Sequence, residues 1–123
     1  MKRYDPEPCP VAADWLDLDE QIRNDLVEKY HRAKGIKLPD LKVHAIFHTI
    51  VENQIAENLE SVVRAMARLR TGGLSRHEAI HAVASVLAEH IHDLFHDKAD
   101  EKNSSAIYNA AIERLTVRSW RGG

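Results

Sequence analysis

The chain has 123 residues, a formal net charge of −2, 44% hydrophobic and 29% charged residues, which suits one domain whose core needs no disulfide staples. That charge balance, with 6% aromatic residues, argues against nucleic acid or a membrane surface as a partner. Cys9 is the only cysteine, so an intramolecular disulfide and a thiolate-rich zinc site are both excluded.

Residues 1–16 carry three of the four prolines and read as an extended arm, anchored by Trp15 and Leu16. The arm lacks the apolar run of a signal peptide, and no stretch approaches the ~18–20 apolar residues of a membrane span, so a cytoplasmic protein is expected. Residues 17–123 read as a single helical domain. Asp17 and Glu20 are spaced as a capping box, and Leu18, Ile22, Leu26, Tyr30 and Ala33 mark the inner face of a first helix over 18–34 that Gly35 ends.

Pro39 and Asp40 open a second helix, and no Gly or Pro interrupts residues 41–70. Its apolar stripe is Val51, Ile55, Leu59, Val62, Met66 and Leu69, which predicts one helix roughly 45 Å long. Gly72 and Gly73 stop it. Ser75 starts a third helix over 75–97, faced by Ile80, Val83, Leu87, Ile91 and Leu94. A fourth, over 104–117, turns Ile107, Ala110, Ala111 and Leu115 inward, Trp120 closes the bundle, and Gly122 and Gly123 fray. The fold class is therefore all-α, a helical bundle built on a long antiparallel helical hairpin. A helix of thirty residues is long for so small a chain, which predicts a homodimer to cover its stripe.

Eight histidines stand out. His44 and His48 continue the apolar stripe of the second helix backward, and Glu52 follows at its edge, so the three share roughly one face at i, i+4, i+8. Imidazoles at core positions need partners. A divalent metal is one partner, and a buried hydrogen-bond network is the other. His77-Glu78-Ala79-Ile80-His81 matches the H-E-x-x-H pattern, with His77 and His81 as ligands and Glu78 as base. The same Glu78 completes a capping box with Ser75, and no strand is in prospect to bind a substrate. Glu78 and His81 also form the Glu-x-x-His pair of di-iron bundles.

In a simple hairpin Glu52 falls opposite about residue 93 and His81 opposite about residue 64, which separates the clusters by roughly 20 Å. A shared site then requires His48 and Glu52 of one subunit to approach His77 or His81 of another. His92 and His96 offer a local alternative with His48 and Glu52, while His31 and His90 read as structural.

His44-Ala45-Ile46-Phe47-His48-Thr49-Ile50-Val51-Glu52-Asn53-Gln54 and Gly73-Leu74-Ser75-Arg76-His77-Glu78-Ala79-Ile80-His81-Ala82 resemble a bacterial family of small uncharacterised helical proteins, a domain of unknown function. Its V-E-N-Q and R-H-E-A-I-H strings lie in the central hairpin, and the resemblance implies no activity or ligand set. The sequence thus points to a helical protein binding a divalent metal (Zn, or Fe, Mn or Ni) through His44, His48, Glu52, His77, Glu78 and His81. The alternatives are a metal-free helical dimerisation or interaction module, and a small zinc-dependent hydrolase.

Overall fold

In a computed structural model, which describes residues 1–36, 40–96 and 101–122, all regular secondary structure is helical. The elements are α1 (Ala12–Leu16), α2 (Glu20–Ala33), α3 (Leu41–Ala56), α4 (Glu60–Thr71), α5 (Arg76–Phe95), α6 (Ser104–Arg114) after a 3-10 turn at Glu101–Asn103, and α7 (Val117–Trp120). The all-α bundle is as the sequence implies. Pro39 as a helix opener, residue 97 as a helix end and Gly123 as a frayed end lie outside the described residues.

The thirty-residue helix is a correction: it is two helices, α3 and α4, joined at Glu57-Asn58-Leu59. Asn58 stands at φ 60°, the left-handed conformation that Asn tolerates better than other side chains. Its N–H bonds the Ile55 carbonyl at 3.0 Å, and Leu59 N–H bonds Gln54 O at 2.9 Å, a Schellman cap. The same geometry ends α2 at Gly35 (φ 71°), where Ile36 N–H reaches His31 O, and α4 at Gly73 (φ 103°), where Leu74 N–H reaches Leu69 O. Two of these stops carry glycine and are legible in the sequence; the third carries asparagine.

The break re-registers the hairpin. Glu52 of α3 meets Arg76 at the start of α5 rather than a residue near 93, and His44 meets His81. These two pairings run α3 and α5 antiparallel, while α4 packs on α5 and α6.

The arm is also corrected in part. Residues 12–16 are helical, and Asp19 rather than Asp17 stands before α2, with no side-chain cap bond. Within α2 the buried side chains are Leu26, Val27 and His31, whereas Ile22 is 47% exposed, so the inner face is rotated by about one residue from the expected line. In α6 the buried pair is Tyr108 and Ile112 rather than Ala110 and Ile107. Thr116 then caps α7 through Ser119.

Two apolar clusters result. The larger joins α4, α5 and α6 with the end of α3 through residues such as Val62, Leu69, Ile80, Val83 and Ile112. The smaller joins Tyr4 of the arm, Trp15 of α1, Leu26 and Val27 of α2 and Ala45 of α3. Fully burying a side chain of this size contributes about 1.5–3 kcal/mol, so the two clusters support the polar residues where α2, α3 and α5 meet.

Candidate metal centre

Three helices each bring histidines to one place. Val27 and His31 lie one turn apart on the buried face of α2, His44 and His48 one turn apart on α3, and His77 and His81 one turn apart on α5. Among the described residues, His31, His44, His48 and His81 each offer one nitrogen, and these four atoms lie within 4.8 Å of one another. His44 Nε2 and His81 Nε2 are 3.0 Å apart. His77 abuts the group, with its ring centroid 4.1 Å from that of His81 and its Nε2 3.3 Å from His31 Nε2.

The approach expected across a subunit boundary therefore takes place inside one chain. His31, read as structural from its lone position, is a member of the group. The signal for it was its spacing from Val27, which the rotated face of α2 obscured.

Hydrogen bonds outside the group fix which nitrogens carry lone pairs. His31 Nδ1 is 2.8 Å from the Val27 carbonyl, which only accepts, so Nδ1 holds the proton and the neutral ring presents Nε2 as a base. Three residues set the tautomer of His48. Arg76 holds Glu52 in a two-pronged ion pair, Nη1 to Oε2 and Nη2 to Oε1, both at 2.7 Å. Glu52, an acceptor on both oxygens, accepts a hydrogen bond from the Tyr4 hydroxyl. The Tyr4 oxygen is then the acceptor for His48 Nε2–H at 2.8 Å. His48 Nδ1 is left with an unshared pair, and it is buried with no hydrogen-bond partner. Outer groups that set ring orientation and tautomer in this way are the usual surroundings of metal-binding histidines.

The same network reassigns Glu52. Expected as a ligand, it is 2% exposed and saturated by Arg76 and Tyr4. Glu78 is exposed at the start of α5, where its N–H donates to Ser75 Oγ at 3.1 Å. Neither belongs to the four-nitrogen group. His92 and His96 stack on each other at 4.1 Å and stand outside the group too, while His90 bonds Ser104 Oγ.

Arg76 and Tyr4 join the site without a sequence signal for it. Arg76 is buried at a helix start, and its Nη1 also donates to the Pro6 carbonyl at 2.8 Å. Glu7 accepts from the Arg76 and His77 backbone N–H groups, placing a carboxylate at the positive end of α5. The arm is thus fastened to the start of α5 beside the histidines.

The two strings V-E-N-Q and R-H-E-A-I-H acquire physical roles. In V-E-N-Q, Val51 is core and Glu52 holds Arg76 and Tyr4. Asn53 accepts from Trp15 and Arg23, and Gln54 accepts from Tyr108. In R-H-E-A-I-H, Arg76 is the counter-ion, Ala79 and Ile80 are core, and His81 faces the other histidines.

Burial keeps these rings neutral. Desolvation holds the pKa of His31 and His77 below the ordinary histidine value, takes His44 to about 4 and His81 to about 3, and holds His48 well below. Mutual repulsion among the imidazoles acts in the same direction. At neutral pH the cluster is a set of unprotonated nitrogen bases, the form in which imidazole ligates. Desolvation and the Glu52 carboxylate raise the pKa of Tyr4, which therefore stays a phenol.

Comparison with family models, with curated proteins and with solved structures finds no match to this chain. No helix among the described residues is long and apolar enough to cross a membrane.

Proposed function

We propose that the protein binds one divalent metal ion per chain through His31, His44, His48 and His81. The observation that carries this reading is the Nδ1 atom of His48: buried, unpartnered, and left with its lone pair by the Tyr4–Glu52–Arg76 relay. Leaving such an atom unsatisfied costs about 1–3 kcal/mol, and an ion removes that cost. Without an ion, His44 and His81 share one proton between their Nε2 atoms; with an ion, both turn lone pairs to it.

Four neutral imidazoles suit Zn, Fe, Mn or Ni rather than Mg or Ca. Zinc supports the reading best. Its nitrogen bonds of about 2.0–2.1 Å place tetrahedral ligands about 3.3 Å apart. The four nitrogens, within 4.8 Å of one another, need a modest contraction to reach that spacing.

Four protein ligands close a zinc shell, which favours a structural role that joins α2, α3 and α5. The hydrolase reading is weaker, because Glu78 is exposed at the start of α5 and stands outside the four-nitrogen group. Homodimerisation is compatible with exposed Val43 and Ile46 on α3, but it supplies nothing the site lacks.

Calorimetric titration of untagged, chelator-treated protein with zinc tests the proposal. One ion per chain is expected. His31→Ala and His44→Ala should each weaken binding by about a hundredfold or more, since loss of an outer partner alone typically costs 10–100-fold. His92→Ala should leave it unchanged. A His31→Ala protein that binds zinc as the parent does would remove His31 from the site, and a parent that binds no zinc would favour the metal-free reading.

A further inference from the structure

A pocket of about 500 Å³ lies on the arm side of the centre. Lys2 and Arg3 of the arm, with Lys29 of α2 and Lys34 just beyond it, surround the rings of Tyr4 and Tyr30. Asp5 is the one carboxylate in the lining, and one of its oxygens already accepts from the Glu7 N–H.

Among the described residues none of these four cations is ion-paired; Lys34 lies 5.8 Å over the Tyr30 ring. Elsewhere Arg32, Arg64, Arg70 and Arg76 all meet carboxylates. Four exposed, unpaired cations around one pocket give it a positive potential in a chain of net charge −2, which favours an anion there. A basic residue near the C-terminal end of a helix complements the helix dipole. That explains Lys34, just beyond the end of α2, but not Lys29, nor the arrival of Lys2 and Arg3 from the N-terminal arm.

The floor is apolar and aromatic. Tyr4 and Tyr30 meet edge to face at 6.1 Å, and buried Leu26 lies beside them. Both tyrosines also touch the histidines: Tyr4 lies 5.4 Å from the His48 ring, and Tyr30 lies 5.6 Å from His31 and 5.4 Å from His77.

We propose that this pocket binds a small organic phosphate, with its dianion among Lys2, Arg3, Lys29 and Lys34 and its apolar part against the partly exposed Tyr30. Four cations match a dianion better than the single charge of a carboxylate. The volume suits a small organic molecule, with an apolar floor and a few charged groups to orient it. The inference is independent of the metal, and its test uses metal-free protein, so either can fail alone.

Phenyl phosphate is titrated calorimetrically into the chelator-treated full chain. Saturable binding at one per chain is expected, weakening as salt is raised. Inorganic phosphate and benzoate should each bind less tightly than phenyl phosphate. The Lys29→Ala, Lys34→Ala double variant removes only exposed side chains and should bind about tenfold or more weakly, whereas Lys42→Ala on α3 should not differ from the parent. No saturable binding, or equal affinity in the double variant, would overturn the site. Benzoate binding more tightly than phenyl phosphate would overturn the dianion, and inorganic phosphate binding as tightly would overturn the apolar part.

Discussion

Replacing Arg76 by alanine is expected to destabilise the protein by about 3–5 kcal/mol, a large share of the roughly 5–15 kcal/mol that holds a small domain together. The side chains of Arg76 and Glu52 are 7% and 2% exposed, so the substitution leaves a carboxylate buried without its counter-ion. It also removes the anchor that sets Glu52, through Glu52 the hydroxyl of Tyr4, and through Tyr4 the tautomer of His48. Zinc affinity should therefore fall as well, by about 10–100-fold, although Arg76 is not a ligand. The double variant Glu52→Gln, Arg76→Met buries no charge and should recover at least half of the lost stability. Urea denaturation of the metal-free proteins measures these differences. A loss below about 1 kcal/mol, the worth of an exposed pair, would mean that the ion pair does not organise the site.

The second large effect is acid sensitivity of the metal-free protein. The unfolded chain protonates its histidines near pH 6.5, whereas the folded cluster resists down to about pH 4 at His44 and about pH 3 at His81, with His48 also held well below. Because the folded values are depressed, the unfolded state binds more protons in that interval, and stability falls as pH falls through it. Each histidine that stays neutral when folded contributes a slope of about 1.4 kcal/mol per pH unit. His48 and His81, the more deeply buried, give about 3 kcal/mol per unit together, while solvent screening reduces the share of half-buried His44. Urea midpoints should drop steeply between pH 6 and pH 5. A flat profile there would mean that the rings are hydrated rather than buried.

The sequence shows most of the secondary structure and three of the four clustered histidines. Gly35 and Gly72-Gly73 announce their helix ends because glycine alone enters the left-handed cap freely. Asn58 makes the same cap with a residue that also occurs inside helices, so the stop between α3 and α4 is silent, and the register of the hairpin is lost with it. That one turn separates a site needing two subunits from a site inside one. His44, His48 and His81 are legible because imidazoles at core spacing demand an explanation. His31 is hidden by a one-residue error in the face of α2, which has Tyr30 and His31 side by side. Tyr4 has no local signal: its partners His48 and Glu52 are 44 and 48 residues away, and only the folded chain brings them together. Arg76 and Glu52 both sit in strings that look ligand-rich, but the charge of one is answered by the other rather than by an ion.

X-ray absorption of the untagged protein loaded with one equivalent of zinc, at a concentration where light scattering establishes the subunit count, tests the metal centre most directly. Four imidazole nitrogens at about 2.0–2.1 Å are expected around the ion. The signal should be the same in monomer and in any larger assembly, and His48→Ala should reduce the imidazole count by one or abolish binding. A shell dominated by oxygen, or one unaltered in His48→Ala, would contradict the four-histidine site.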